Sequence, residues 1–360
     1  MFKPLFQQAF PKAIINNKPS SIMNSIIINN NNTSRRLFST TNTITLNNTT
    51  IDHQQQHNIP IMRSLLYIPG NSEKMLSKIH SLSIKPDVFV PDLEDSVPYH
   101  EKEKARKMVR EFLLSFNTQD NNANNMKIIP RVNSEDEFLE IDCESICIPN
   151  IVHAINIGKT SSIADIFKID EILTRIEDNL KVQQYTFKII PSIESAIGLV
   201  HAYQICSCLP NRIIGVAFGA DDYAHDLGFT RNTSQSIEKE LFYVRSTIAV
   251  AARAANIPSF DTPNVNFKNM EGLKEESIEV RNIGMKGKFA IHPNQIPILN
   301  EIFGPSEMEI KEAKLIVDAY EKAAQENNRG SCQVEGRMVD MPVYRRFKQV
   351  LEIAQKINRK

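Results

Sequence analysis

Short apolar runs rich in Ile, Val and Phe recur along the chain, and a charged amphipathic segment follows each of them. Eight of these runs are predicted as strands: Ser64–Ile68, Val88–Asp92, Lys127–Val132, His153–Ile157, Phe187–Ile193, Ile213–Phe218, Ile257–Asp261 and Lys288–Ile291. Apolar runs without strict alternation are typical of strands buried on both faces of a parallel sheet. Eight strand–helix units in about 240 residues predict an α/β chain folded as a (β/α)8 TIM barrel. A doubly wound open sheet is the alternative, because periodicity does not report closure.

The clearest helical patterns between the strands are Glu101–Phe116, Ser195–Cys206 and Gln235–Ala255. After the last strand, Ser306–Asn327 and Pro342–Asn358 are predicted as helices, and a turn-rich connector joins them from Gly330 to Gly336. We therefore expect a barrel domain over residues 61–304 and a C-terminal helical extension over residues 305–360.

The charge balance and the cysteines exclude several classes of protein. The chain has 42 basic and 42 acidic residues, so it lacks the excess of positive charge that holds a protein on nucleic acid. No run approaches the 18 or so apolar residues of a membrane span. Five cysteines without a C-x-x-C pair argue against a disulfide framework or a zinc site. We expect neither nucleic acid nor a membrane among the partners.

The N-terminal segment differs from the rest in charge. Residues 1–51 contain no Asp or Glu, while Lys3, Lys12, Lys18, Arg35 and Arg36 lie among many Ser, Thr and Asn residues. This composition predicts a disordered mitochondrial transit peptide over residues 1–50, and hence a location in the matrix. The alternative is an Asn-rich disordered extension that carries no targeting signal.

Charged residues directly follow several of the predicted strands. In a barrel the carboxyl ends of the strands form one mouth, where the chemistry occurs. Glu194 and Asp222 follow neighbouring strands and can share one Mg²⁺, which often takes only one or two carboxylates. Strand alternation would turn the adjacent Asp221 away from that ion. The alternative for Glu194 is a solvated carboxylate at a strand end.

Arg131 ends the third strand, and its guanidinium fork suits a substrate carboxylate. The alternative is a salt bridge with Glu94 or Asp95, which follow the second strand. Those two carboxylates can in turn hold metal-bound water, or cap the following helix.

Taken together, the strand ends resemble those of the citrate lyase β-subunit family, which also contains the HpcH/HpaI aldolases. The motifs that carry the resemblance are Arg63–Asn71, Asp92–Asp95, Arg131–Asn133, Ile193–Leu199, Phe218–Tyr223 and Ile291–Ile296. Near the C-terminus, Gly336–Pro342 resembles the mitochondrial branch of the family that cleaves citramalyl-CoA. Where the family usually has Pro-Lys after the fourth strand, this chain has Gly158-Lys159.

The resemblance implies a barrel enzyme, usually a homotrimer, that uses Mg²⁺ to cleave a carbon–carbon bond of 3-hydroxyacyl-CoA thioesters. It implies Glu194 and Asp222 as metal ligands, Arg131 as the substrate-carboxylate arginine, and Asp340 as an acid/base that reaches a neighbouring subunit's site. Glu94, Asp95 and Lys159 would form the surrounding polar shell. The expected CoA-thioester contacts are Tyr67, Ile68, Pro69, Gly70, Asn71, Ser72, Glu73, Lys74, Ile291 and His292.

The expected reaction is therefore retro-Claisen cleavage of (3S)-citramalyl-CoA to acetyl-CoA and the keto acid pyruvate. Malate synthase and malyl-CoA thioesterase side activities would use the same groups. Three alternatives stay open: a citrate lyase β subunit acting on an acyl-carrier thioester, an aldolase-type barrel without CoA, and a non-catalytic CoA-binding protein.

Overall fold

The computed structural model describes residues 61–116, 126–233, 235, 237–327 and 330–358. The predicted transit peptide over residues 1–50 lies outside these residues. Nine strand segments form the central sheet: β1 Ser64–Pro69, β2 Val88–Asp92, β3 Lys127–Ile128, β4 Arg131–Val132, β5 Ala154–Ile157, β6 Lys188–Ile193, β7 Val216–Phe218, β8 Ser259–Asp261 and β9 Gly287–Ala290. Segments β3 and β4 occupy one position in the barrel wall, interrupted at Pro130, which has no N–H to donate to a neighbouring strand.

All pairings in this sheet are parallel, and they close it. The order runs from β1 through β9, β8, β7, β6 and β5 to β4 and β2, and β2 pairs with β1 again, with Leu65 opposite Val88. The predicted eight-stranded barrel is confirmed, and the open sheet is excluded. Every predicted strand overlaps an observed one.

Ten helices follow the barrel strands: α1 Glu73–Ser81, α2 Lys102–Leu114, α3 Asp136–Ile146, α4 Ile163–Leu180, α5 Ala196–Val200, α6 Ala202–Ser207, α7 Ala220–Leu227, α8 Phe242–Ala254, α9 Met270–Ile283 and α10 Ile296–Ile302. The single helix predicted over Ser195–Cys206 is two helices, because the backbone leaves the helical conformation at His201. In the segment predicted as Gln235–Ala255, the α-helix begins only at Phe242, after a 3₁₀ turn at Lys239–Leu241.

Two apolar layers hold the barrel together. One fills the inside of the sheet and includes Leu65, Val90, Ile190, Phe260 and Phe289. The other lies between the sheet and the helices. Apolar side chains on both faces of a strand explain why the sequence shows continuous apolar runs.

The C-terminal extension contains α11 Glu307–Asn327, β10 Ser331–Val334, β11 Arg337–Asp340 and α12 Met341–Asn358. The predicted turn-rich connector is an antiparallel hairpin. Its two-residue turn, Glu335-Gly336, has φ of 48° and 82°, the left-handed geometry that tight hairpins require.

The extension has its own small core, and the C-terminal part of α12 lies on the side of the barrel away from the mouth. Ile316, Tyr320 and Phe347 belong to an apolar cluster that is separate from those of the barrel. At the other end of α12, Ile353 lines a groove together with Met62 at the start of β1. This end of α12 therefore lies at the N-terminal ends of the strands.

None of the helices in the described part of the chain combines the length and apolar character that crossing a membrane requires. The five cysteines are free thiols.

Candidate active site

Glu194 follows β6 directly and is buried at the mouth of the barrel, with 8% of its surface exposed. Its Oε2 accepts a 2.9 Å hydrogen bond from the backbone N–H of Lys159. Two glycines leave room for the carboxylate: a Cβ at Gly219 would lie 2.7 Å from Oε1, and one at Gly158 would lie 3.3 Å from Oε2. Burial, together with the negative charges of Glu94 and Asp222, raises the pKa of Glu194 to about 8.

Asp222 lies in the first turn of α7 and is exposed. Its charge raises the pKa of Glu194, so the two carboxylates are within electrostatic range of each other. Asp221 instead forms a 2.8 Å ion pair with Arg231. The strand-alternation argument used for Asp221 and Asp222 was wrong, because β7 ends at Phe218 and both residues are helical.

Arg131 is held by three carboxylates. Its Nε and Nη2 donate to Asp92 at 2.7 and 2.6 Å, and Nη1 lies 2.8 Å from Glu94 and 3.1 Å from Asp95. The salt bridges that the sequence offered as an alternative are therefore present in the structure. Burial alone would raise the pKa of Asp92, but the charge and hydrogen bonds of Arg131 outweigh it and hold that pKa below its usual value.

Asp92 is the residue that the sequence argument missed. It pairs with Arg131 in the register between β2 and β4, so the two side chains stand on the same face of the sheet. The signal was present, since Val88, Val90 and Asp92 alternate along one face of the strand.

Glu94 and Lys159 form a second pair beside Glu194. Lys159 Nζ lies 2.9 Å from Glu94 Oε1. Burial raises the pKa of Glu94 to about 7, against the opposing charge of Arg131. A hypothetical Cβ at Gly158 would be 3.3 Å from an oxygen of both Glu94 and Glu194, so these carboxylates border the same small space.

Tyr67 points into the barrel beneath Arg131. The Arg131 guanidinium lies 4.6 Å above the Tyr67 ring, and Phe289 stacks against the ring at 4.6 Å. The Tyr67 hydroxyl donates to Asn156 Oδ1 at 3.0 Å, and Asn156 Nδ2 donates to Ser192 Oγ at 3.0 Å. Burial raises the pKa of Tyr67 well above its usual value. These groups form a polar floor under the mouth.

The residues of the first predicted CoA segment lie in different environments. The Ile68 side chain is buried in the apolar layer between sheet and helices, which leaves its backbone for the predicted CoA contact. After Pro69, Gly70 brings its N–H to Asp92 O at 2.8 Å, and a Cβ there would lie 2.6 Å from that oxygen. The rest of the segment, Asn71, Ser72, Glu73 and Lys74, is half-buried or exposed at the start of α1.

The second predicted CoA segment is the turn after β9. Ile291 is 40% exposed, and His292 is half-buried and stacks on Phe267 at 5.3 Å. His292 Nδ1 accepts from the N–H of Asn294, while Gln295 Oε1 accepts from the N–H groups of Ile291 and His292. His292 therefore has a structural role as a cap of this turn.

Asp340 ends the hairpin of the C-terminal extension, and its Oδ1 accepts from the N–H of Val343 at 3.2 Å. Within the described part of the chain it shares no hydrogen bond or ion pair with Glu194, Asp222 or Arg131. Among the described residues, Asp340 thus makes no polar contact with the other predicted residues of the mouth.

The charges at the mouth suit a hard divalent cation. Among the described residues, Arg131 and Lys159 form ion pairs with the carboxylates of Asp92, Glu94 and Asp95. The carboxylates of Glu194 and Asp222 add two further negative charges that these ion pairs do not include. No three His, Cys, Asp or Glu side chains of the described residues converge as a metal cage. Two carboxylates are nevertheless sufficient for Mg²⁺, which keeps its other positions for water and substrate oxygens.

Comparison with known proteins adds to this geometry. Residues 63–293 match the family described as HpcH/HpaI aldolase/citrate lyase. The citrate lyase subunit beta of Haemophilus influenzae is 35% identical over 82% of this chain and 97% of its own length. The human mitochondrial citramalyl-CoA lyase is 30% identical over 83% of this chain and 87% of its own.

Among solved structures, CitE from Mycobacterium tuberculosis, in complex with magnesium, acetoacetate and coenzyme A, has the same fold. The TM-score is 0.62 at 24% identity, over 81% of this chain and 97% of that one.

Proposed function

The chain belongs to the HpcH/HpaI aldolase/citrate lyase family, and from this premise we propose that it cleaves (3S)-citramalyl-CoA to acetyl-CoA and pyruvate with Mg²⁺. Its relatives are named as lyases, and the chain is a carbon–carbon lyase that acts on CoA-linked substrates. The proposal concerns the substrate, the metal and the residues that act.

One observation carries the proposal: the buried Glu194 carboxylate lies in a gap between two glycines, within electrostatic range of Asp222 and Arg131. A buried carboxylate that gains only a single backbone hydrogen bond is costly unless a cation neutralises it. Glu194 and Asp222 would hold Mg²⁺, and CitE, a structural neighbour, was solved with magnesium. When bound, the ion would polarise the oxygens of the keto-acid half of the substrate.

Arg131 would bind the substrate carboxylate through Nη1. Its Nε and Nη2 are fixed by Asp92, which is 1% exposed. Nη1 would keep its 2.8 Å contact with the buried Glu94, and the substrate carboxylate would replace Asp95, whose side chain is 54% exposed. Asp92 and the Tyr67 ring would then keep the guanidinium plane in place while the substrate carboxylate replaces Asp95. Lys159 would hold Glu94 in its position beside Glu194.

In the reaction, the bond between C2 and C3 of the thioester breaks. The tertiary hydroxyl gives its proton to solvent and becomes the carbonyl of pyruvate. The electron pair remains on C2, which takes up a proton to become the methyl group of acetyl-CoA. Asp340 would supply that proton, a role that typically contributes about 10²–10⁴-fold to the rate.

Asp340 would act from a neighbouring subunit, since among the described residues of its own chain it makes no polar contact with Glu194, Asp222 or Arg131. This supports a homotrimer in which residues 305–360 complete the site of another copy of the barrel of residues 61–304. Tyr67 would serve as the floor of the site, and the Gly70–Lys74 loop and the Ile291–His292 turn would bind the CoA portion.

A mitochondrial matrix location, directed by residues 1–50, is part of the proposal. The human relative is named as mitochondrial, whereas bacterial relatives are also similar. Malate synthase and malyl-CoA thioesterase side activities would use the same groups on glyoxylate or malyl-CoA.

A second candidate is a citrate lyase β subunit that acts on an acyl-carrier thioester. The 35% identity to the Haemophilus influenzae citrate lyase subunit favours it. Such a subunit would need the carrier of its complex, whereas a citramalyl-CoA lyase would not.

The test uses the purified chain without other proteins. Citramalyl-, malyl- and 3-hydroxy-3-methylglutaryl-CoA are each incubated with it, with Mg²⁺ and with EDTA, and acetyl-CoA formation is followed. We expect Mg²⁺-dependent cleavage that is fastest with citramalyl-CoA. If free thioesters remain intact while a carrier-bound thioester is cleaved, the second candidate is correct.

A further inference from the structure

Buried charges lie behind the barrel wall, between the sheet and helices α8 and α9. Arg245, Asp261, Glu276 and Lys288 are each at most 1% exposed. Arg245 Nε lies 2.9 Å from Asp261 Oδ1, and its Nη2 lies 2.6 Å from Glu276 Oε1. Lys288 Nζ contacts Asp261 and lies 3.2 Å from Glu276 Oε1. Two cations and two carboxylates thus compensate each other in the interior.

One branch of this cluster reaches the helix of Asp222. Glu238 Oε2 is 3.7 Å from Arg245 Nη2, and the Glu238 carboxylate accepts two hydrogen bonds from Arg231, at 3.0 and 2.9 Å. Arg231 Nη1 then donates to Asp221 at 2.8 Å. Because Asp221 immediately precedes Asp222 in the first turn of α7, Arg231 fixes the orientation of that turn.

The other branch reaches the turn after β9. Glu276 Oε2 accepts from Asn264 Nδ2 at 2.8 Å, and the Asn264 carbonyl accepts from Gln295 Nε2 at 2.9 Å. Gln295 Oε1 accepts from the N–H groups of Ile291 and His292, at 2.9 and 3.2 Å. The backbone of this turn is therefore attached to the same buried cluster.

We propose that this continuous network, from Asp221 to His292, couples cation binding at Glu194 and Asp222 to CoA binding at the Ile291–His292 turn. The inference rests on the proposed function, which places those two ligands at the two ends. Moving one member alone would leave a buried charge without its partner, so the members are expected to shift together. Arg231, Glu276 and Gln295 are positioning residues in this view, since they act through other groups.

Substitutions near the two ends of the network can test the proposed coupling without removing a buried charge. The Asp221 side chain is 71% exposed, and Asn264 is half-buried, so Asp221→Asn and Asn264→Ala leave every buried ion pair intact. Asp221→Glu keeps the carboxylate and is the conservative variant. Glu309→Gln is the matched control, because it breaks an ion pair with Arg281 on α9 outside the network.

The experiment measures by calorimetry how tightly free CoA binds with EDTA and with saturating MgCl₂. In the wild-type protein we expect Mg²⁺ to change the CoA affinity by about 5–150-fold, the usual range of such coupling. The ratio of the CoA affinity with MgCl₂ to the CoA affinity with EDTA should fall towards one in Asp221→Asn and in Asn264→Ala. The double variant should show no further fall in this ratio. The ratio should remain at the wild-type value in Asp221→Glu and Glu309→Gln.

Two results would overturn the proposed coupling. One is an affinity ratio of one in the wild-type protein, and the other is an unchanged affinity ratio in both Asp221→Asn and Asn264→Ala. Thermal unfolding is recorded for every variant and detects a general loss of structure. Such a loss would weaken CoA binding with and without Mg²⁺ alike, so it would not by itself bring the ratio of the two affinities to one. A wild-type protein that binds neither Mg²⁺ nor CoA would instead overturn the proposed function on which the inference rests.

Discussion

The backbone N–H of Lys159 donates a 2.9 Å hydrogen bond to Glu194 Oε2, which joins the loop after β5 to the residue that directly follows β6, the neighbouring strand. Lys159 has a φ of 55°, a left-handed conformation that few residues with a Cβ adopt and that is often found at functional sites. The preceding Gly158 leaves the Glu194 carboxylate its space. The conformation of the Gly158-Lys159 loop thus provides both the space and one hydrogen bond for the Glu194 carboxylate.

Replacing either proposed metal ligand should remove Mg²⁺ binding. Glu194→Gln and Asp222→Asn keep the size of the side chain but lose the charged oxygen that a hard cation requires. We expect the Mg²⁺ affinity, measured by calorimetry, to fall by more than the roughly 10–100-fold that loss of an outer-shell group costs. Glu312→Gln, a change in the C-terminal extension, is the control. Wild-type Mg²⁺ affinity in both variants would refute the paired ligands.

The glycines beside Glu194 give a graded test of the same site. In Gly219→Ala the new Cβ would lie 2.6 Å from Glu194 Cγ, so the carboxylate must move, and we expect Mg²⁺ affinity and turnover to be lost. Gly158→Ala, with contacts of 3.3 Å, should have a smaller effect. Gly330→Ala meets no atom within 4 Å and should resemble the wild type. An equal response of all three variants would show that the carboxylate position does not control the site.

The sequence predicted the barrel because its strands are buried on both faces, and this leaves a strong local signal of continuous apolar residues. The pairing of Arg131 with Asp92 could not be predicted in this way, because it depends on the register between β2 and β4, which sequence periodicity does not report. For the hairpin around Glu335-Gly336 the sequence predicts only a turn-rich connector, because Glu-Gly is not among the dipeptides that signal a tight hairpin. The position of Asp340 could be inferred only through family resemblance.

Mg²⁺ binding should weaken as the pH falls below about 8. Burial raises the pKa of Glu194 to about 8, so at lower pH the carboxyl is mostly protonated and the cation must displace a proton. For one coupled proton the dissociation constant should rise up to about tenfold per pH unit below that value. Calorimetry in buffers of different ionisation enthalpy should detect proton release at pH 7 and little at pH 9. A dissociation constant that is the same at pH 6.5 and pH 8.5 would contradict the raised pKa.

The floor of the site should contribute to stability. Tyr67→Phe removes the donor to Asn156 Oδ1, and an unpaired buried acceptor costs about 1–3 kcal/mol of unfolding free energy. Urea unfolding should show this loss. Tyr99→Phe removes a hydroxyl that bonds Glu137 at the surface, where the residue is 67% exposed, and should change stability by less than about 0.5 kcal/mol. If both variants unfold at the wild-type midpoint, the Tyr67 hydroxyl does not hold the floor.

Asp340→Asn should lower turnover by about 10²–10⁴-fold while Mg²⁺ and CoA still bind, because the carboxyl would act only on the proton of the acetyl carbon. Steady-state kinetics and calorimetry separate these effects. Turnover within tenfold of the wild type would remove Asp340 from proton transfer.

Mixing inactive subunits tests which chain supplies Asp340. In a mixed oligomer of Asp340→Asn and Glu194→Gln subunits, some mouths combine an intact Glu194 of one chain with an intact Asp340 of another. We therefore expect activity to return after the two variants are denatured and refolded together, although each is inactive alone. If Asp340 served the mouth of its own chain, every site would lack one of the two groups. Mixtures without any recovered activity, but with normal oligomer formation, would then assign Asp340 to its own barrel.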